Sequence, residues 1–226
     1  MTSRILVSLM MLSACGDVPQ IEAHMVDPSY VLKVSKFRSC CGHTYGSEPD
    51  RSMKHYLSSR PDMLARNDYA GIYAPFDGFV VIIEPENNLM PCYGNVPQGE
   101  QVRFASKKNP NHMVRLFHTN PQVGLGFAKK GTLLAYADLR SCDENDPSKP
   151  GTRASTFDIS YEGINGSTVS IFDHMSPSVL AQWGEVGITP ENIKISKETR
   201  DADPCTSYAE SVCRLDNVCL TGQDCE

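Results

Sequence analysis

The sequence predicts a mainly β protein: an antiparallel β-sheet domain followed by a small C-terminal helical segment and a cysteine-rich tail. Three observations predict it. Apolar and polar residues alternate in several short runs, as in half-buried strands. The runs are punctuated by 16 glycines and 15 prolines, which favour turns over long helices. After Met175 the pattern changes, and apolar residues recur at helical spacing.

The first element is a targeting segment. "MTSRILVSLMMLSAC" carries Arg4, then the apolar run Ile5 to Leu12, then small residues before Cys15. The run is too short to span a bilayer as a mature helix. "LSAC" resembles a bacterial lipobox, which implies that residues 1–14 are a lipoprotein signal peptide and that Cys15 is lipidated and becomes the mature N-terminus. Residues 15–30, beginning "CGDVPQ", read as a tether.

The β domain is expected over 31–175. "VLKVSKFRSC" opens it with an alternating strand, and "GIYAPFDGFVVIIEP" is a strand, an "APFDG" turn and a strongly apolar strand from Phe79 to Ile83. "EPENNLMPCYGNVPQGE" is a turn-rich loop. "QVRFAS" and "HMVRLFHT" form a hairpin about "KKNPNH". "VGLGFAKKGTLLAYAD" gives a glycine-bounded turn and another strand, and "LRSCDENDPSKPGTRA" is a long polar loop. "STFDISYE" alternates again, and "STVSIFDHM" is a last strand or the lead into a helix.

A helical coda is expected over 176–204. Ser176 is placed as an N-cap with Pro177 in the first turn, and Val179, Leu180 and Trp183 share a face. Trp183 reads as a core anchor. "TPEN" reads as a second helix start, and "SKETRDADP" as a solvated connection. The disulfide-rich tail occupies 205–226.

Net charge is −6, which argues against a nucleic-acid partner, because phosphate binding needs a basic patch. The lysine pairs at 107–108 and 129–130 read as solvated turn residues. Of nine cysteines, removing a lipidated Cys15 leaves an even set, as in an exported disulfide protein. No CxxC pair is present, and Cys205, Cys213, Cys219 and Cys225 are spaced by eight, six and six, unlike a zinc ribbon. The tail has the spacing to staple onto itself, and the connectivity stays open. Neither "GxSxG" nor a paired-carboxylate cleft is legible. Cys40 or Cys41 beside His43 reads as oxidised rather than nucleophilic.

Several segments, in order, resemble the lysostaphin-type (LytM) zinc endopeptidase family, whose members cut peptidoglycan. They are "FRSCCGHTY", "SMKHYLSS", "IYAPFDGFVVII", "HMVRLFHT", "GFAKKGTLLAYAD" and "TFDISYE", spanning 37–162. The resemblance implies a LytM-like antiparallel β-sheet domain. It places His55 on the first zinc-ligand histidine, and Ser59 where an aspartate ligand is due. It places His118 on a groove histidine that polarises the scissile carbonyl or the attacking water, a catalytic role only if the chain is active. Asp158 and Ser160 fall on the two histidines of "H-x-H", of which the second is a ligand.

A catalytic zinc needs three protein ligands and an open position, and a serine hydroxyl is a poor substitute. His55 alone is left as a metal ligand, so no cofactor is expected. The same residues read coherently as a hydrogen-bonding groove of Arg38, His43, His55, Tyr56, His118 and Asp158. The expected function is a lipid-anchored protein of the bacterial cell envelope with a degenerate, non-catalytic domain. It would act as a binding or regulatory module for peptidoglycan or an envelope protein. Two other readings stay open: an active zinc-dependent peptidoglycan endopeptidase with relocated ligands, Asp62 among the candidates, and a purely structural lipoprotein.

Overall fold

The computed structural model describes residues 17–60, 63, 70–143, 145–152 and 154–222. The signal peptide, Cys15, Asp62 and Cys225 lie outside them.

The expected antiparallel sheet is present. Its strands are β1 (Val31–Ser35), β2 (His55–Ser59), β3 (Gly71–Tyr73), β4 (Gly78–Pro85), β5 (Leu89–Met90), β6 (Val96–Pro97), β7 (Glu100–Ser106), β8 (His112–Pro121), β9 (Gly126–Ala128), β10 (Leu133–Ala137), β11 (Thr156–Gly163), β12 (Thr168–Val169) and β13 (Asn217–Cys219). The main sheet runs β13-β1-β2-β11-β8-β7-β4-β9, with β10 joining β8 to β3, and β12 paired to β11. β5 and β6 form a separate ribbon.

Alternation decides which face is covered. Val34, Leu57, Phe157, Ile159, Tyr161, Val114, Leu116, Val102, Phe104 and Val80 are all buried in one core cluster. Their strand neighbours Tyr56, Asp158, Ser160, Arg115 and Arg103 therefore stand on the other face of the sheet. That polar face, partly roofed by the loop after β1, carries the candidate site.

The stretch expected to be a tether is part of the body. Ile21 and Met25 are buried in the core, and Val18 packs against it. The Tyr161 hydroxyl donates to the Pro19 carbonyl at 2.6 Å, and Ile21 N–H donates to the His174 carbonyl at 2.7 Å. Apolar residues spaced through "VPQIEAHMV" supplied the burial that a linker lacks.

The coda follows its capping signals in part. Helix α1 (Pro177–Glu185) begins after Ser176, whose side chain accepts from Val179 N–H. Trp183 is the core anchor expected of it and packs edge-on against Phe172, with ring centroids 5.4 Å apart. "TPEN" is a turn rather than a helix start, because Thr189 and Asn192 bond each other's backbone. The second helix, α2 (Lys197–Ala202), starts after Ser196, which caps it through Thr199 N–H. It is no solvated connection: Arg200 is buried and donates to Asp216 at 2.7 Å and to the Arg38 carbonyl at 2.9 Å.

The tail is not stapled to itself through Cys205 or Cys213. Cys40 bridges Cys205 and Cys41 bridges Cys213, so the adjacent pair after β1 holds the segment around the short helix α3 (Glu210–Cys213). Cys92–Cys142 ties the long polar loop to the turn after β5, and Cys219 is also oxidised. Three mapped disulfides fit a chain that folds in an oxidising, non-cytoplasmic compartment. No helix among the described residues is long and apolar enough to cross a membrane.

Candidate binding groove

The polar face of β2, β11, β8 and β7 is centred on Lys54. This residue precedes β2, and its ammonium lies 3.0 Å from Asp158 Oδ2 with both side chains almost wholly buried. Asp158 is brought there by pairing with Tyr56 on β2 and with Phe117 on β8. The ammonium sits 3.9 Å from the ring centroid of Phe117, 4.5 Å from that of Tyr45 and 5.4 Å from that of Tyr56. Negative ring faces stabilise a cation where water is excluded. His43 Nε2 approaches it at 3.4 Å from the rim.

A bulge completes the cluster. Between Val102↔Leu116 and Glu100↔Thr119, β8 spends one residue more than β7. The extra residue leaves His118 at φ +55°, a left-handed conformation uncommon for a residue with a side chain. The bulge aims His118 onto the polar face, where its Nε2 lies 3.8 Å from Asp158 Oδ2. Its Nδ1–H donates to the Gln98 carbonyl at 3.3 Å, and its backbone N–H donates to Glu86 at 3.1 Å. Glu86 also accepts from Gln101 at 2.7 Å, and Gln101 accepts from Arg115 Nε at 2.9 Å.

Arg115 carries the network across the face by donating to the Tyr45 hydroxyl at 3.1 Å. Tyr45 and Ser160 both donate to Glu162 Oε1. Burial, with the Glu162 charge next in size, pushes the Tyr45 phenol up to about 12, so it stays a donor. Burial likewise raises the Tyr56 phenol. Gly42 explains how the rim loop closes over that ring: at φ +68° its missing Cβ would lie 2.2 Å from the Tyr56 hydroxyl.

The expected groove residues do not all meet. His43, Tyr56, His118 and Asp158 do. His55 does not: it sits on the core side of β2 at 1% exposure, because a strand turns successive side chains to opposite faces. Its Nδ1 donates to the Ser35 carbonyl at 2.9 Å, and its Nε2 therefore accepts from the Ser170 hydroxyl at 2.9 Å. Phe172 packs edge-on 5.0 Å from it, and burial lowers its pKa to about 4. Arg38 also stands apart, at φ +64°, with its guanidinium paired to Glu48 at 2.8 Å.

The donor set does not fit a zinc ion. The His55 lone pair is taken by Ser170 on the wrong side of the sheet, and Ser59 is buried on that same side. Ser160 is committed to Glu162. The carboxylate that a cation would need, Asp158, faces an ammonium held in an aromatic cage. Among the described residues no three His, Cys, Asp or Glu side chains converge as metal ligands. Cys40 and Cys41 are both in disulfides, which removes them as nucleophiles.

Sequence reasoning passed over Lys54, Tyr45, Phe117, Arg115, Glu86 and Glu162. One signal could have found Lys54. With His55 at a strand start facing the core, its neighbours Lys54 and Tyr56 must face the other way together.

No family model matches the chain, and no curated protein matches it. Two solved structures are similar to it. One is the M23 metalloprotease pseudoalterin from the deep sea, with 14% identity, a TM-score of 0.37, and coverage of 72% of this chain and 80% of that one. The other is lysostaphin, solved by NMR, with 14% identity, a TM-score of 0.38, and coverage of 60% of this chain and 51% of that one.

Proposed function

We propose that this is an exported, lipid-anchored envelope protein whose polar sheet face binds a peptidoglycan segment without catalysing its cleavage. The single observation that carries the reading is the Lys54–Asp158 ion pair inside its aromatic cage. A protein cation fills the centre of the face, so a metal-activated water has no place there. What remains accessible is a polar strip with Arg115 and His118 partly exposed beside Tyr45 and Tyr56. Arginine and imidazole donors suit carboxylates and amide carbonyls of short peptides, and phenol rings suit sugar faces. The anchor rests on "LSAC" and Cys15, and export is supported by the disulfides.

A second reading, a zinc-dependent endopeptidase with relocated ligands, draws on one observation. Asp158 Oδ1 is buried and makes no hydrogen bond, while His118 Nε2 and His43 Nε2 lie near the same ion pair. A movement of Lys54 would free an acid and two imidazoles.

Sedimentation with purified sacculi, combined with metal analysis of the protein, separates these. The first reading expects binding that weakens about tenfold in Arg115→Ala or His118→Ala, since each would lose a charge-assisted or buried hydrogen bond. Stoichiometric zinc that disappears in His118→Ala would establish the second. Absence of both leaves a structural lipoprotein.

A further inference from the structure

Toward the end where β7 turns into β8, the sheet face that carries Arg103 and the groove becomes apolar. Phe79, Phe127 and Ile164 stand out near that end, 40%, 48% and 67% exposed, and Val81 and Leu125 extend the apolar patch away from the turn along β4 and the segment before β9. Phe79 pairs with Phe127 across β4 and β9, with ring centroids 5.4 Å apart. β9 is the edge of the main sheet. Ile164 follows β11 and is bound to the hairpin through the Asn111 carbonyl at 2.7 Å. Exposed aromatic pairs on an edge strand are a liability unless something covers them.

The surround is basic. Lys107, Lys108, Lys129 and Lys130 are exposed in the two adjacent turns, and the Lys107 ammonium lies 5.6 Å from the Phe127 ring centroid. The carboxylates facing them are Glu22, which pairs with Lys108 at 2.5 Å and Lys130 at 3.2 Å, and Asp77, which accepts from Lys130 N–H at 2.9 Å. Four lysines against Glu22, Asp77 and Asp17, the last held beside the β7–β8 turn by Asn109, leave a local charge of +1 on a chain whose net charge is −6. Phe76 and these turns line a cavity of about 330 Å³.

The chain enters at this same end. Asn109 in the β7–β8 turn donates to the Asp17 carbonyl at 3.3 Å, and from Val18 onward the chain is packed into the body. Cys15 precedes Asp17 by two residues, a reach of about 7 Å even when extended.

We infer that this end is the membrane-facing surface, seated on anionic phospholipid headgroups with Phe79, Phe127 and Ile164 entering the interface. The inference rests on the lipid anchor proposed above. A long tether would leave the domain free to turn, whereas an anchor two residues before Asp17, which the β7–β8 turn binds, keeps the lysine turns close to the headgroups. Lysines beside aromatic and aliphatic side chains suit that layer, where rings sit at the apolar boundary and ammonium groups meet phosphates. The orientation also positions the groove. Asp158 lies five residues along β11 from Gly163, so the ion pair stands roughly 16 Å from this end at ~3.3 Å per residue.

The test uses the mature chain with Cys15→Ser, so that no acyl chain contributes, and vesicles of phosphatidylcholine with or without phosphatidylglycerol. Binding is expected only to vesicles containing phosphatidylglycerol. It should weaken about fivefold in Lys107→Gln and in Lys129→Gln, and at least about tenfold in Phe79→Ser/Phe127→Ser. All four side chains are exposed, and unchanged thermal unfolding controls for the fold. Absence of vesicle binding overturns the inference. So does undiminished binding by the variants, equal binding to pure phosphatidylcholine, or equal affinity for soluble polyglutamate. Self-association lost in Phe79→Ser/Phe127→Ser without vesicle binding would assign the patch to a second copy instead. The mass of the N-terminal peptide from the native chain tests the anchor separately: an unmodified Cys15 removes the anchor and leaves the vesicle result to stand alone.

Discussion

Lys54 and Asp158 form an ion pair of 3.0 Å with both side chains almost wholly buried, between three aromatic rings and beneath His118. Removing one partner strands the other charge in a medium that solvates it poorly. Lys54→Met is expected to lower unfolding free energy by about 3–5 kcal/mol. Lys54→Met/Asp158→Leu should recover much of that loss, since it removes both desolvated charges. Denaturant midpoints of the single and double variants measure the coupling. Equal destabilisation in both would show that packing, not charge, is at stake.

His55 makes stability depend on pH in a definite direction. Burial lowers its folded pKa to about 4 from the usual imidazole value of 6.5, so between those values the unfolded chain binds more protons. Stability therefore rises with pH across this window. The contribution is complete above about pH 6.5 and is lost as pH falls toward 4, amounting to about 3 kcal/mol. His24, His112 and His174 are also lowered by burial and act in the same sense. His55→Gln should flatten the slope without abolishing it. Urea midpoints taken from pH 7 to pH 4 provide the comparison.

Gly99 shapes the bulge that aims His118. It has φ +71°, and an added Cβ would lie 2.7 Å from both Thr119 N and Thr119 O. Backbone atoms cannot rotate away as a side chain would. Gly99→Ala is expected to cost about 1–3 kcal/mol and to shift the His118 imidazole resonances. A stable variant with unchanged His118 signals would remove Gly99 from the account.

The bridges from Cys40 and Cys41 fix the rim loop that carries His43 and Tyr45. Cys40→Ala/Cys205→Ala should lower stability by about 2–5 kcal/mol. Limited proteolysis should then cut first between residues 203 and 213, where Cys205 no longer holds the chain to the Ser39 region. Cleavage elsewhere at unchanged rate would show that Cys41–Cys213 suffices.

Much of the fold was legible because its signals are local. Alternation marked the strands around Phe79–Ile83, "QVRFAS" and "HMVRLFHT", and Ser176 with Pro177 marked the start of α1. "TPEN" misled because its threonine and asparagine satisfy each other in a turn without going on to a helix. Residues 15–30 misled because the few apolar side chains in a proline-containing stretch gave no periodicity, although Ile21 and Met25 reach the core.

By itself, the sequence determined the β class, the turn-rich connections, the first helix cap and an oxidised cysteine set. Tertiary structure alone decided which faces and partners those residues meet. A strand's side chains alternate with period two, so one position of register separates a groove residue from a core residue. Pairing of β2 with β11 turned His55 inward to Ser35 and Ser170, and turned Lys54 and Tyr56 outward to Asp158. The left-handed backbone of His118 and the reach of Cys40 and Cys41 to the tail depend on contacts far apart in sequence. No local pattern encodes such contacts, because they exist only once the sheet is assembled.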